Sequence, residues 1–120
     1  MSTLKKITRI LKALADENRI RILYLLREKN GLCVCEIREI IGLSQPTISS
    51  HLKLLESNEL VTFDKDGKWV NYSMNPDLNI KMKQALESIF SMMKTDSEVK
   101  EDRNRVYKVN RKSLCKGIIT

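Results

Sequence analysis

The sequence predicts a mostly α-helical fold with one small β-hairpin, in the order α-α-α-α-β-β-α. Three observations predict it. Apolar residues recur at spacings of three and four from Leu4 to Leu55, the helical period. Between Val61 and Met74 the period drops towards two, on either side of an Asp66-Gly67 turn signal, as in a hairpin. From Leu78 to Met93 the helical period returns. A length of 120 residues allows one packed core and is short for two domains of roughly 100–150 residues each. With 42% hydrophobic and 31% charged residues, four glycines and two prolines, disordered and collagen-like classes are excluded.

In chain order, the first helix carries Leu4, Ile7, Leu11 and Leu14 as its apolar stripe, widened by Ile10. Asp16 or Asn18 caps a second helix that buries Ile20, Leu23 and Leu26 and ends at the basic Arg27 and Lys29, in keeping with the helix dipole. A short third helix carries Val34, Ile37 and Ile41 and stops at Gly42. Ser44 then caps a fourth, with Pro46 tolerated in its first turn and Ile48, Leu52 and Leu55 as its seam. In the hairpin, Val61 and Phe63 alternate with Thr62 and Asp64, and Trp69, Asn71, Tyr72 and Met74 follow the turn. The last helix is marked by Leu78, Met82, Leu86, Ile89 and Met93, and its methionines, Met92 included, suit adaptable packing at a subunit interface. From Thr95 the chain is polar and only weakly periodic through Val99, Val106 and Val109, so residues 1–94 are expected to form the folded domain and 95–120 a basic polar tail.

Charge narrows the function. Lys and Arg number 22 against 15 Asp and Glu, and the resulting +7 favours polyanionic partners. Arg103 to Lys116 holds six basic residues and no acid, while Ser44 to Leu55 holds one Lys and no acid. Apolar runs reach five residues at Ile22 to Leu26, against the ~18 of a membrane span. Lys5, Lys6 and Arg9 interrupt any secretory signal, so a cytoplasmic location without membrane contact is expected. Isolated glycines with no phosphate-cradling motif remove the nucleotide-binding readings.

The third and fourth helices, joined by Gly42-Leu43-Ser44, fit a helix-turn-helix whose second member enters a major groove. With Ile48 and Leu52 inward, Ser49, Ser50 and Lys53 point outward, and Gln45 and Thr47 lie in the N-terminal turn that reaches base edges. Gln bonds adenine bidentately, Ser and Thr serve bases or phosphates, and Lys53 neutralises a phosphate. The hairpin then reads as a wing with Lys65 and Lys68 flanking its tip, and the whole as a winged helix-turn-helix. His51, the single histidine, has no evident nucleophile or carboxylate to partner it, and its place beside the inward seam predicts a structural role. No enzyme is expected.

The cysteines Cys33, Cys35 and Cys115 are an odd number in a chain with no export signal, which argues against a disulfide framework. The C-x-C pair suggests soft-metal or redox chemistry, although buried cysteine is also common as a small hydrophobe. At this point whole segments resemble a known family. Leu14-Ala-Asp-Glu-Asn-Arg-Ile-Arg-Ile-Leu23, Leu32-Cys-Val-Cys-Glu-Ile37, Ser44-Gln-Pro-Thr-Ile-Ser-Ser-His-Leu-Lys53 and Gly67-Lys-Trp-Val-Asn-Tyr72 resemble, in turn, the second-helix start, metal box, recognition helix and hairpin of the arsenical-resistance repressor (ArsR/SmtB) family. The resemblance implies a homodimer, with first and last helices at the interface, on a palindromic double-stranded DNA operator. A thiophilic metal or metalloid ion would release it. It implies Cys33 and Cys35 as sensing ligands, and places Gln45, Thr47, Ser49, Ser50 and His51 on the DNA-reading helix.

The arsenic-sensing pattern has a third thiol where this chain has Arg38, which leaves Cys115 as the remaining cysteine for a three-sulfur site. A cysteine-only set favours As(III) or Sb(III), with Cd(II) or Pb(II) next, and DNA binding itself needs no cofactor. Zinc or nickel sensing on the last helix is poorly supported, because Leu78 to Met93 holds no His and only Glu87 as an acid. Oxidation or persulfidation of the pair is the competing sensing chemistry. On a regular helix the two side chains would project about 200° apart, whereas one ion at bond lengths of about 2.3 Å needs the sulfurs within about 4 Å. Capture is therefore expected to deform that turn and tilt the helix ahead of Gln45 to Lys53. A helix N-terminus with Arg38 one turn on favours the thiolates that capture needs.

Overall fold

The computed structural model of the chain describes residues 2–109. Its elements run α1 (Thr3–Leu14), α2 (Glu17–Glu28), α3 (Val34–Ile41), α4 (Gln45–Ser57), β1 (Val61–Asp66), β2 (Trp69–Met74), α5 (Ile80–Met93) and α6 (Ser97–Val106). Local chemistry sets the boundaries. The Asp16 carboxylate accepts the N–H groups of Asn18 and Arg19 at 2.9 and 3.0 Å, so α2 starts where the cap residue predicts. Gly42 ends α3 in the left-handed region at φ 85°, which a Cβ would strain, and its N–H donates to the Arg38 carbonyl. No helix among the described residues is long and apolar enough to cross a membrane.

The core is built around α2, whose residues Ile22 to Leu26 are all buried. Five consecutive buried positions require neighbours on every side, and α1, α3, α4, α6 and β2 supply them. Antiparallel strands β1 and β2 pair from Val61 opposite Met74 to Asp66 opposite Trp69, with Gly67 at the tip. Leu32 adds a short third edge, exchanging backbone hydrogen bonds with Tyr72 at 2.8 and 3.1 Å. The chain is thereby held extended immediately before Cys33.

The segment expected as a tail, 95–120, contains a packed helix among its described residues. In α6 the Asp96 carboxylate caps the first turn, Val99 and Val106 are buried, and Asp102 pairs with Arg21 of α2 through two hydrogen bonds of 2.9 and 3.0 Å. Arg105 donates to the Ile40 carbonyl at the end of α3. The division after residue 94 thus cuts through one core rather than bounding it, because a buried ion pair anchors what looked like solvated charge.

The apolar stripe of α1 lies largely in the open: Leu4, Ile7 and Leu11 are 73%, 41% and 58% exposed. On α5, Leu86 and Phe90 are buried, while Ile80 and Met92 are also exposed. Tyr24 and Phe90 meet edge-on at 5.8 Å and tie α5 to α2.

Candidate nucleic-acid interface and cysteine site

Helix α4 buries Ile48, Leu52 and Leu55 completely, which turns Thr47, Ser50 and Lys53 outward. Ser44 Oγ accepts the Thr47 N–H at 3.4 Å and lies 2.9 Å from Thr47 Oγ1, so the cap also orients that hydroxyl. Gln45 is half-buried, and its Oε1 accepts from Arg38 Nη1 at 3.4 Å. This bond joins α3 to the first residue of α4 and leaves the Gln45 amide nitrogen as donor. Ser49, expected outward, is half-buried. His51 is half-buried as well. The Asp16 carboxyl is held below its usual range chiefly by accepting the Arg19 N–H.

On the hairpin, Lys65 and Lys68 are exposed on either side of Gly67, beside the equally exposed Asp64 and Asp66. The Lys68 ammonium sits 5.0 Å from the centroid of the Trp69 ring, a cation–π distance. The predicted reading residues of α4 and the wing lysines therefore sit on separate elements.

The cysteines correct one expectation. Cys33 is not on a helix: it caps α3 with extended backbone (φ −89°, ψ 166°), and Cys35 is the second helical residue. The projection of about 200° applies only to two positions on one regular helix, so it does not describe this pair. Instead Cys33 and Cys35 form one buried cluster, both with zero exposure, and the half-buried Trp69 packs against them. The Glu36 carboxylate, also buried, accepts the Cys33 N–H at 3.0 Å and closes the first turn. Arg38, at the position of the missing third thiol, is directed to Gln45. Cys115 lies outside the described residues, and among the described residues no third His, Cys, Asp or Glu completes a metal-binding group.

Cys33 is a free thiol, whereas Cys35 is disulfide-bonded, which corrects the expectation drawn from the odd cysteine count. Once that bond is reduced, two soft sulfur donors in a water-excluded cluster suit a thiophilic ion, whose binding to cysteine displaces the thiol protons. Sequence reasoning missed Trp69 and Glu36 as parts of this site. The signal for Glu36 was available, since an acid three residues after a cap position is the capping-box spacing. For Trp69 there was none, because the strand lies far along the chain from the cysteines.

A family model described as bacterial regulatory protein, arsR family, matches residues 16–62. The chain is 45% identical over 69 residues to the arsenical resistance operon repressor of Escherichia coli (strain K12), a match covering 58% of this chain and 59% of that protein. It therefore spans about three fifths of that relative. It is 37% identical over 84 residues to a cadmium resistance transcriptional regulatory protein CadC homolog of Staphylococcus aureus, covering 70% of this chain and 67% of that one. Among solved structures, HlyU from Vibrio cholerae N16961 superposes with a TM-score of 0.65 at 31% identity, over 77% of this chain and 97% of that one. The homodimeric winged helix-turn-helix DNA-binding domain Mb0332 from Mycobacterium bovis gives 0.60 at 26% identity, over 76% and 77%.

Proposed function

The chain belongs to the arsR family of bacterial regulatory proteins, which are not enzymes, and on that premise we propose that it is a cytoplasmic transcriptional repressor that senses arsenite or antimonite. Two copies bind a palindromic operator. Gln45, Thr47, Ser49, Ser50 and His51 face or flank the bases, while Lys53, Lys65 and Lys68 neutralise phosphates. The open stripe of Leu4, Ile7 and Leu11, with Ile80 and Met92, supports self-association, since such apolar surface is normally covered. The homodimeric state of the Mycobacterium bovis domain supports the same reading.

The observation that carries the proposal is the burial of Cys33 and Cys35 in one cluster at the start of α3, the helix that leads through Gly42, Leu43 and Ser44 into α4. With the Cys35 disulfide reduced, Cys33 and Cys35 are the first two donors, and Cys115 of the same or the second copy is the third. The bound ion supplies a soft Lewis acid that replaces the thiol protons. Because Cys33 is the cap, pulling its sulfur changes the closure made by Glu36 and the direction in which α3 leaves the strand edge. Arg38 and Gln45 pass that change to α4. Weakening operator binding about a hundredfold requires the effector to prefer the DNA-free form by about 2.7 kcal/mol.

The test is a titration with arsenite in a phosphine reductant, since thiol reductants compete for the ion. Sulfur-to-arsenic charge-transfer absorbance and release of a DNA duplex selected by the chain from a random library are followed together. Both are expected in the native chain, lost in Cys33→Ser and Cys35→Ser, and weakened in Cys115→Ser. Release by peroxide or polysulfide alone would replace the proposal with thiol oxidation. A cadmium response is the second reading, supported by the likeness to the cadmium regulator, and cadmium in the same titration discriminates it.

A further inference from the structure

We propose that Trp69 is a positioning residue that carries occupancy of the Cys33–Cys35 cluster to the wing, so that one effector site acts on both DNA-contacting elements. This rests on the effector reading above. Both cysteines are fully buried, Cys35 being disulfide-bonded until reduced, and among the described residues the partly buried hydrophobic side chain packed against them is Trp69. A close-packed interior has no vacancy for an added ion. Room must come from a neighbour that can give, and a half-buried ring at a strand end gives more readily than the enclosed residues of α2.

What moves with the ring follows from the hairpin. Trp69 opens β2 opposite Asp66, next to the Gly67 tip, and its face carries the Lys68 ammonium at 5.0 Å. Further along, the same strand is pinned to the cysteine-bearing segment. Tyr72 exchanges backbone hydrogen bonds with Leu32, Gly31 donates to the same Tyr72 carbonyl at 2.9 Å, and the Met74 N–H donates to Asn30 Oδ1 at 3.2 Å. Tyr72 lies three residues on from Trp69, about 10 Å of strand. With the strand held at Tyr72, displacement of Trp69 swings the tip about that anchor and carries Lys68 with it. A wing lysine removed from a phosphate lowers the salt dependence of binding by about one ion.

Trp69 is the single tryptophan of the chain, so its emission reports the event directly. In the native chain under phosphine reductant, arsenite is expected to change Trp69 emission in step with the sulfur-to-arsenic absorbance, and Cys33→Ser is expected to abolish both. Arsenite should lower the salt slope of DNA binding by about one unit per copy, about two for the bound dimer, in the native chain and leave it unchanged in Lys68→Ala. For each variant the ratio of DNA affinities without and with arsenite is measured. That ratio should fall at least about tenfold in Trp69→Leu and be largely restored in Trp69→Phe, which keeps the ring. An unchanged emission while the thiols are saturated, or an undiminished ratio in a folded Trp69→Leu, overturns the proposal. Should Trp69→Leu not fold, the emission arm decides alone. Absence of the charge-transfer band or of release in the native chain overturns the effector reading itself; with both present, silence at Trp69 overturns only the coupling to the wing.

Discussion

Replacing Asp102 by Ala tests whether α6 is part of the fold or an appendage. The Asp102 side chain is 2% exposed and Arg21 13%, and two hydrogen bonds of 2.9 and 3.0 Å join them. Removing the carboxylate leaves a guanidinium in the interior. Breaking a buried pair from one side costs about 3–5 kcal/mol. Arg21 Nη1 retains Glu98 at 2.7 Å and Asn18 at 2.9 Å, which places the expected loss at the lower end, about 3 kcal/mol. Against a total of roughly 5–15 kcal/mol this is a large fraction, and it should lower Tm by roughly 12 °C.

Urea and thermal unfolding followed by circular dichroism measure the loss. The double variant Arg21→Met with Asp102→Leu should recover most of it, because no unpaired charge remains. Hydrogen exchange adds a local readout: α3 amides should exchange faster in Asp102→Ala, since α6 packs on α3 and Arg105 reaches the Ile40 carbonyl. A loss below about 1 kcal/mol, within the range of an exposed pair, would refute the reasoning. So would a double variant as unstable as the single one.

Three further outcomes are expected. Arg38→Cys puts a thiol at the third position of the arsenic-sensing pattern and should tighten arsenite binding by at least about tenfold, or about 1.4 kcal/mol; unchanged affinity in the absorbance titration would show that this face of α3 does not reach the ion. Lys53→Ala should weaken all DNA sequences alike and reduce the salt slope by about one unit per half-site, whereas Gln45→Ala should relax choice at one base per half-site, both read by binding across a library of duplexes. Asp16→Ala should cost about 1 kcal/mol at neutral pH through the lost cap. Because the folded Asp16 carboxyl titrates below its ordinary 3.8, its contribution is complete above that value and lost as pH falls through the lowered one. Urea unfolding at neutral pH and at about pH 2 should therefore show the difference between native and variant chains shrinking in acid.

Elements marked by local chemistry were legible in the sequence, and contacts across the chain were not. Ser44, Pro46 and the period of Ile48, Leu52 and Leu55 specify α4 without outside help, and Asp66-Gly67 does the same for the hairpin. Helix α6 escaped because its buried side is Val99, Asp102 and Val106. A charged residue in the middle of the stripe breaks the apolar period, and the arginine that makes its burial tolerable is 81 residues away. The α1 stripe was legible as a face to be covered, but its period alone does not say whether the cover is the same chain or a second copy.

The cysteines combine both situations. Their residue types marked them as soft donors, but their geometry depends on Tyr72, which draws Leu32 into an extended edge and stops α3 from starting before Val34. Moving Cys33 from helix to cap changes the mechanics. An interior helical turn resists distortion with hydrogen bonds on both sides, whereas a cap has its extended side set by the strand it leaves. In the proposed mechanism, strain applied at Cys33 is therefore shared between α3 and β2, and α4 and the hairpin become two ends of one response rather than one lever and a bystander.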